Sequence, residues 1–148
     1  MRIVINEDAA ADETEVIINC KKADGDVIKM LAVLRSFDRK LTGVKDGRTF
    51  ILDAAEVMYC DSVDKKTFIY TMDGVFETPL RLYELEERLS GGDFFRASKQ
   101  NLVNLAKIVS MKPEFSGKIE LLLISGERLY VSRQYVPVLK LKLGLRGS

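Results

Sequence analysis

Two segments in the last third of the chain carry the residues best suited to chemistry. They are Phe94-Phe95-Arg96-Ala97-Ser98-Lys99-Gln100-Asn101-Leu102-Val103-Asn104-Leu105 and Leu129-Tyr130-Val131-Ser132-Arg133-Gln134-Tyr135. Each sets long polar side chains where a strand pattern ends, beside apolar residues that hold the backbone still. That arrangement reaches into a nucleic-acid groove from a rigid base. Arg133 follows Ser132, a capping residue, and on the first turn of a helix its guanidinium can fork onto guanine O6 and N7 or clamp a phosphate. Lys99, with Ser98 and Asn101 beside it, adds charge and hydrogen-bonding capacity from a different strand end. The turn Lys65-Lys66-Thr67 is a third polar loop.

Neighbouring residues have plainer uses. Phe95, Leu102, Val103, Leu105 and Val131 read as core, and Tyr135 as packing. Asn104 suits a turn tied down through its side chain. Arg96 suits a structural ion pair as well as a phosphate contact.

Charge is uneven along the chain. Residues 1–93 hold 13 basic and 19 acidic side chains, whereas residues 94–148 hold 10 basic and 3 acidic, within an overall net charge of +1. A basic third on an acidic remainder suggests a surface that faces a polyanion, although scattered solvated lysines give the same tally. The chain has no histidine and no tryptophan. His-dependent acid–base chemistry, Ser-His-Asp triads and Cys-His zinc sites are therefore excluded. No phosphate-cradling glycine motif and no metal-ligand spacing occurs, so no enzyme activity, cofactor or metal is expected. Cys20 and Cys60 read as two independent, half-buried thiols in a reducing compartment. No apolar run is long enough to cross a bilayer and the start turns acidic early, which points to the cytoplasm.

The elements that must position these residues come from periodicity and turn signals. Met1–Asn6 and Val16–Cys20 are strand candidates around an acidic stretch, Glu7 to Glu15. Asp24-Gly25-Asp26 offers a turn and cap before a helix in which Val27, Met30, Leu31, Leu34 and Phe37 share a face. This strand–strand–helix unit, residues 1–43, is too small to bury a core alone. Self-association or packing on the rest of the chain is expected of it, as a dimerisation or regulatory unit. Residues 44–146 read as the main domain. Its hairpins turn at Asp46-Gly47, Asp64-Lys65-Lys66 and Asp73-Gly74. A short helix, Leu82–Leu89, buries Leu82, Leu85 and Leu89. Strands at Ile108–Lys112, Ile119–Ile124 and Arg128–Val131 follow, then a helix from a Ser132 cap to about Leu143. The fold class is mostly β with short helices (α+β).

The two motif segments, with some fifty residues before them, resemble the LytTR-type DNA-binding domain, over roughly Leu41 to Gly144. The resemblance implies about ten short strands in small sheets, with loops entering successive major grooves on one side of double-stranded DNA. It places contacts at Lys65, Lys66 and Thr67, at Ser98, Lys99 and Asn101, and at Ser132, Arg133 and Gln134. Many members have histidine where this chain has Ser98, which shifts weight to phosphate attraction by Lys99. Most relatives carry a phosphorylated receiver domain, for which 43 residues are too few. The chain thus looks like the stand-alone regulators, often encoded beside a small membrane-embedded protein that restrains them. The expected function is a sequence-specific transcription regulator, a homodimer on repeated half-sites. The competing readings are a protein-interaction or ligand-sensing module centred on residues 1–43, and a single-stranded RNA binder, for which no stacking platform is evident.

Overall fold

A computed structural model describes residues 1–37 and 39–144. Its sheets are built from hairpins whose turns demand left-handed backbone. Asp46 and Gly47, with φ of 52° and 75°, join β1 (Lys40–Lys45) to β2 (Arg48–Asp53) in the two-residue turn that matches strand twist. Asp64 and Lys65 do the same between β3 (Val57–Val63) and β4 (Lys66–Thr71), and Gly74 opens β5 (Gly74–Thr78). Helix α2 (Leu82–Arg88) follows, then β6 (Phe94–Arg96), β7 (Asn101–Asn104), β8 (Ile108–Pro113), β9 (Ile119–Leu123) and β10 (Arg128–Val131). The strands form a seven-stranded sheet in the order β2-β1-β5-β4-β3-β7-β6 and a three-stranded sheet in the order β10-β9-β8, all pairs antiparallel.

The apolar runs Val57-Met58-Tyr59-Cys60, Phe94-Phe95 and Leu102-Val103 do not alternate with polar residues because both faces of the sheet are covered there. Val57, Cys60, Phe94 and Leu102 join Leu82, Leu85 and Leu89 of the α2 side in one core. Met58, Tyr59, Phe95 and Val103 join Leu121, Leu123, Val131 and Leu139 in the other. A bulge between Val57 and Tyr59 lets residues 57 and 60 share a face despite their odd separation. Burial of a leucine such as Leu85 contributes about 2 kcal/mol, so this double core fixes β3, β6 and β7 firmly.

Two expectations fail. Residues 1–20 contain no strand, and Ile3, Val4, Ile5, Val16 and Ile17 are exposed. The helix does form, as α1 (Gly25–Phe37), with Asp24 Oδ1 accepting from the Val27 N–H at 3.1 Å. Of its apolar set Val27 is buried, Met30 and Leu31 are half-buried and Leu34 is exposed. The side chain of Phe37 lies outside the described residues, as do residues 145–146 at the end of the expected domain. The final helix is also shorter than expected. Arg133–Tyr135 form a 3-10 turn, and α3 runs only from Val136 to Lys142. Pro137, which has no N–H to donate, sits in the first turn of α3 and suits that start.

The cysteines are unequal rather than both half-buried. Cys20 is exposed and Cys60 fully buried, and neither is in a disulfide. Burial first, and the Asp61 charge second, push the Cys60 thiol far above its usual range. No helix among the described residues is long and apolar enough to cross a membrane.

Candidate nucleic-acid interface

The β3–β4 turn is narrower than its sequence suggests. Asp64 and Lys65 are its two central residues and Lys66 already belongs to β4, paired with Val63. Lys65 and Lys66 are exposed, but Thr67 is only 2% exposed, because the side chains of β4 alternate and its own faces inward. Two cations, not two cations and a hydroxyl, are what this turn presents. A left-handed lysine costs on the order of 1 kcal/mol, so Lys65 holds its place at the expense of stability.

The loop between β6 and β7 is held by its own neighbours. Ser98 Oγ accepts from the backbone N–H groups of Gln100 and Asn101 at 3.2 and 3.1 Å, folding the loop over its first residue. Arg96 settles its role here. Its Nε donates to the Ser98 carbonyl and its Nη2 to the Lys99 carbonyl, both at 2.8 Å, while Nη1 meets Glu86 Oε1 at 2.9 Å. The guanidinium fork thus grips the backbone of the two residues before it can reach any ligand. Lys99 stays exposed, and Asn101 is half-buried opposite Asp61. Asn104 ties down its turn, as its residue type suggests, with Nδ2 donating to the Val57 carbonyl at 2.8 Å and Oδ1 accepting from Ala106 N–H at 3.0 Å.

Backbone hydrogen bonds set the three loops side by side. The Ser62 N–H, at the end of β3, donates to the Gln100 carbonyl at 2.9 Å. On the other side of that loop, Ser132 donates twice to the Ala97 carbonyl, from N at 2.9 Å and from Oγ at 3.3 Å. Ser132 therefore does not cap a helix through its side chain, contrary to the sequence expectation; its hydroxyl is engaged across the domain. Arg133 and Gln134 follow, exposed, in the 3-10 turn, so the helix-terminus argument for Arg133 lapses. Its support is instead the β8–β9 turn. A Cβ on Gly117 would lie 2.7 Å from Arg133 Cδ and 3.0 Å from Cγ, so the arginine stem rests on bare backbone. Lys65, Lys66, Lys99 and Arg133 are the exposed cations of this row.

A polar network borders it. The Tyr59 and Tyr70 rings stack, centroids 4.2 Å apart and 10° from parallel. Tyr70 donates to Asp61 Oδ2 at 3.0 Å and Tyr59 to Glu127 Oε2 at 2.6 Å. Burial, then the bond to Asp61, push the Tyr70 hydroxyl up to about 12. Burial also raises the Asp61 carboxyl, against the lowering effect of the Tyr70 hydrogen bond, and its Oδ1 is buried without a partner. Among the described residues no group of three or more His, Cys, Asp or Glu side chains could hold a metal ion.

Several contributors were invisible in the sequence. Gln100 acts through its carbonyl, Arg81 reaches the Lys65 carbonyl at a long 3.5 Å, and Gly117 acts by lacking a side chain. The pair Ser116-Gly117 signals a turn between two strand runs, but carries no clue to which residue lies against it.

A mostly β domain that lines up polar, cationic loops at the ends of its strands presents a surface suited to a polyanion. Residues 47–144 match the LytTr DNA-binding domain, and the chain belongs to that family. It is 30% identical over 139 residues to an uncharacterized HTH-type transcriptional regulator of Staphylococcus aureus strain NCTC 8325, covering 91% of this chain and 94% of that one. A similarly named protein of strain MSSA476 is 27% identical over 147 residues, covering 98% and 99%. The fold is similar to the LytTr DNA-binding domain of a Bacillus cereus protein described as a methyl-accepting/DNA response regulator. That match has a TM-score of 0.68 and 25% identity, over 72% of this chain and 97% of that one. Despite the relatives' names, no two α-helices among the described residues are joined by a short turn; α1 and α2 are separated by β1–β5, and α2 and α3 by β6–β10.

Proposed function

We propose that the chain is a sequence-specific, double-stranded DNA-binding transcriptional regulator that reads its site with loops. The observation that carries this reading is the hydrogen-bonded row of three loops bearing Lys65, Lys66, Lys99 and Arg133. In it Lys65, Lys66 and Lys99 neutralise phosphates and Arg133 reads a guanine edge, with Ser98, Asn101, Ser132 and Gln134 beside them; the row lies along one side of the duplex and enters successive major grooves. Thr67, buried, supports the turn rather than the DNA.

The protein acts as a homodimer on repeated half-sites, with residues 1–43 as the dimerisation or regulatory unit and residues 44–146 as the reading domain. Exposed Ile3, Val4, Ile5, Val16 and Ile17, together with Ile28 of α1, support this. They leave six large apolar side chains uncovered, as an interface between two copies would need. Two protomers on one DNA sum modest contacts into useful affinity.

The test is selection from a random duplex pool by the wild-type chain and by Arg133→Ala, at several salt concentrations. The expected result is a repeated motif for the wild type, relaxed at one position in Arg133→Ala, with affinity falling steeply as salt rises. A salt slope near −0.9 per phosphate contact is expected. Weak binding equal in both proteins, without enrichment, would overturn the Arg133 assignment. Removal of residues 1–24 is expected to abolish the dimer in sedimentation; an unchanged dimer would overturn the role given to the N-terminal segments.

A further inference from the structure

The turn that supports Arg133 carries an oddity of its own. Strands β8 and β9 are joined by Glu114-Phe115-Ser116-Gly117-Lys118. The Gly117 N–H donates to the Glu114 carbonyl at 3.1 Å, and the Glu114 N–H to the Lys118 carbonyl at 2.8 Å. Gly117, at φ 85°, closes the loop in the left-handed region, as a three-residue hairpin connection requires. Such a tip ordinarily takes small polar residues. Here Phe115 stands at it, fully exposed, with no part in either core. Folding gives no reason for it.

Position gives one. The same turn lies against the Arg133 stem, through the close approach at Gly117, so Phe115 is two residues from the glycine on which the proposed base-reading arginine rests. Lys112 and Lys118 flank the tip, both exposed. Glu120, paired with Lys112 across β8 and β9, has its charge engaged by Arg128 at 3.5 Å. The local pattern is an apolar ring, with the Glu114 carboxylate beside it, between two cations and next to a guanidinium.

We infer that the β8–β9 turn is a fourth DNA-contact loop, in which Phe115 touches a thymine methyl group in the major groove beside the base read by Arg133. The major groove exposes that methyl, and apolar side chains read it by contact. Lys112 and Lys118 hold the tip down on the flanking phosphates. The inference rests on the DNA-binding reading above and deepens it, since it assigns a base preference to a residue outside the three family loops.

The experiment measures binding of the wild-type chain, Phe115→Ala and Phe115→Leu to the duplex selected by the wild type. Each is measured on that duplex and on versions with single thymines replaced by uracil, which removes only the methyl. Phe115→Ala is expected to lose about fourfold in affinity, as burial of one methyl-sized contact implies. Its salt slope should be unchanged, because no phosphate contact is lost. Phe115→Leu recovers part of the loss. One uracil substitution weakens the wild type by a similar factor and leaves Phe115→Ala unaffected. Equal affinity of wild type and Phe115→Ala, or a uracil effect of the same size in both, overturns this inference alone. Failure of the wild type to select or bind any duplex overturns the DNA-binding reading and this inference with it. Phe115 supports neither core, so all three proteins should unfold at the same temperature.

Discussion

Ser132 and Ala97, 35 residues apart, are joined by two donors on one carbonyl: the Ser132 N–H at 2.9 Å and its Oγ at 3.3 Å. This junction ties the Arg133 turn to the Lys99 loop, so the spacing between two cations is set by a serine that needs no contact with DNA. Ser132→Ala keeps the N–H bond and loses the hydroxyl. We expect a stability loss of about 1 kcal/mol in denaturant titration. DNA affinity should fall severalfold with an unchanged salt slope. A reduced slope would instead mean that the hydroxyl, or a cation beside it, meets a phosphate.

Arg96 and Lys99 separate positioning from contact. Arg96 grips the carbonyls of residues 98 and 99 and an exposed part of Glu86, so its loss loosens the loop. Arg96→Gln is expected to cost about 2 kcal/mol, discounted for the solvent-screened Glu86 pair. Arg96→Lys should not rescue it, because an ammonium cannot fork onto two carbonyls. Lys99→Ala should leave stability within about 0.5 kcal/mol and reduce the salt slope by about one. Stability unaltered in Arg96→Gln, by thermal melting, would remove Arg96 from the positioning role.

Lys65 sets stability against binding. Its φ of 67° suits glycine, so Lys65→Gly should raise stability by about 1 kcal/mol while weakening duplex binding and lowering the salt slope by about one. Chemical denaturation and a salt titration on the same protein check both halves. A variant that binds as tightly as wild type would take Lys65 off the interface.

Asp61 gives a pH dependence of definite sign. Burial, with Glu127 nearby, raises its carboxyl above the unfolded value, which is about 3.9. The folded state thus holds a proton more readily than the unfolded state. The charged form costs stability above the folded pKa, and that cost disappears as pH falls toward about 4. Asp61→Asn keeps an acceptor for Tyr70 and removes the charge. Its melting temperature should exceed that of the wild type at pH 7, and the gap should close on acidification. A gap that widens at low pH would contradict the raised pKa.

Local chemistry determined much of this protein. Asp46-Gly47 and Asp73-Gly74 dictate turns because few other residues accept their backbone angles, and the runs at Val57–Cys60 and Leu102-Val103 can only be core. The helix at residues 25–37, the leucine face of α2 and the anchoring role of Asn104 are legible for the same reason: each depends on neighbours within a few positions. The LytTR resemblance was likewise carried by short segments. Tertiary structure decided whatever needed a distant partner. Residues 1–20 have strand-forming sequences, but a strand exists only where an edge accepts its hydrogen bonds, and these segments pair with none of the edges at β2, β6, β8 and β10. Ser132 has the makings of a cap, yet the Ala97 carbonyl competes for its hydroxyl and Pro137 favours a later helix start. Thr67 sits beside two exposed lysines and is buried because a strand alternates its faces. The adjacency of the loops at Lys65, Lys99 and Arg133, and of Phe115 to the last of them, rests on hydrogen bonds and contacts between residues 16 to 38 positions apart. Sequence supplies such groups; only the folded sheets bring them within bonding distance.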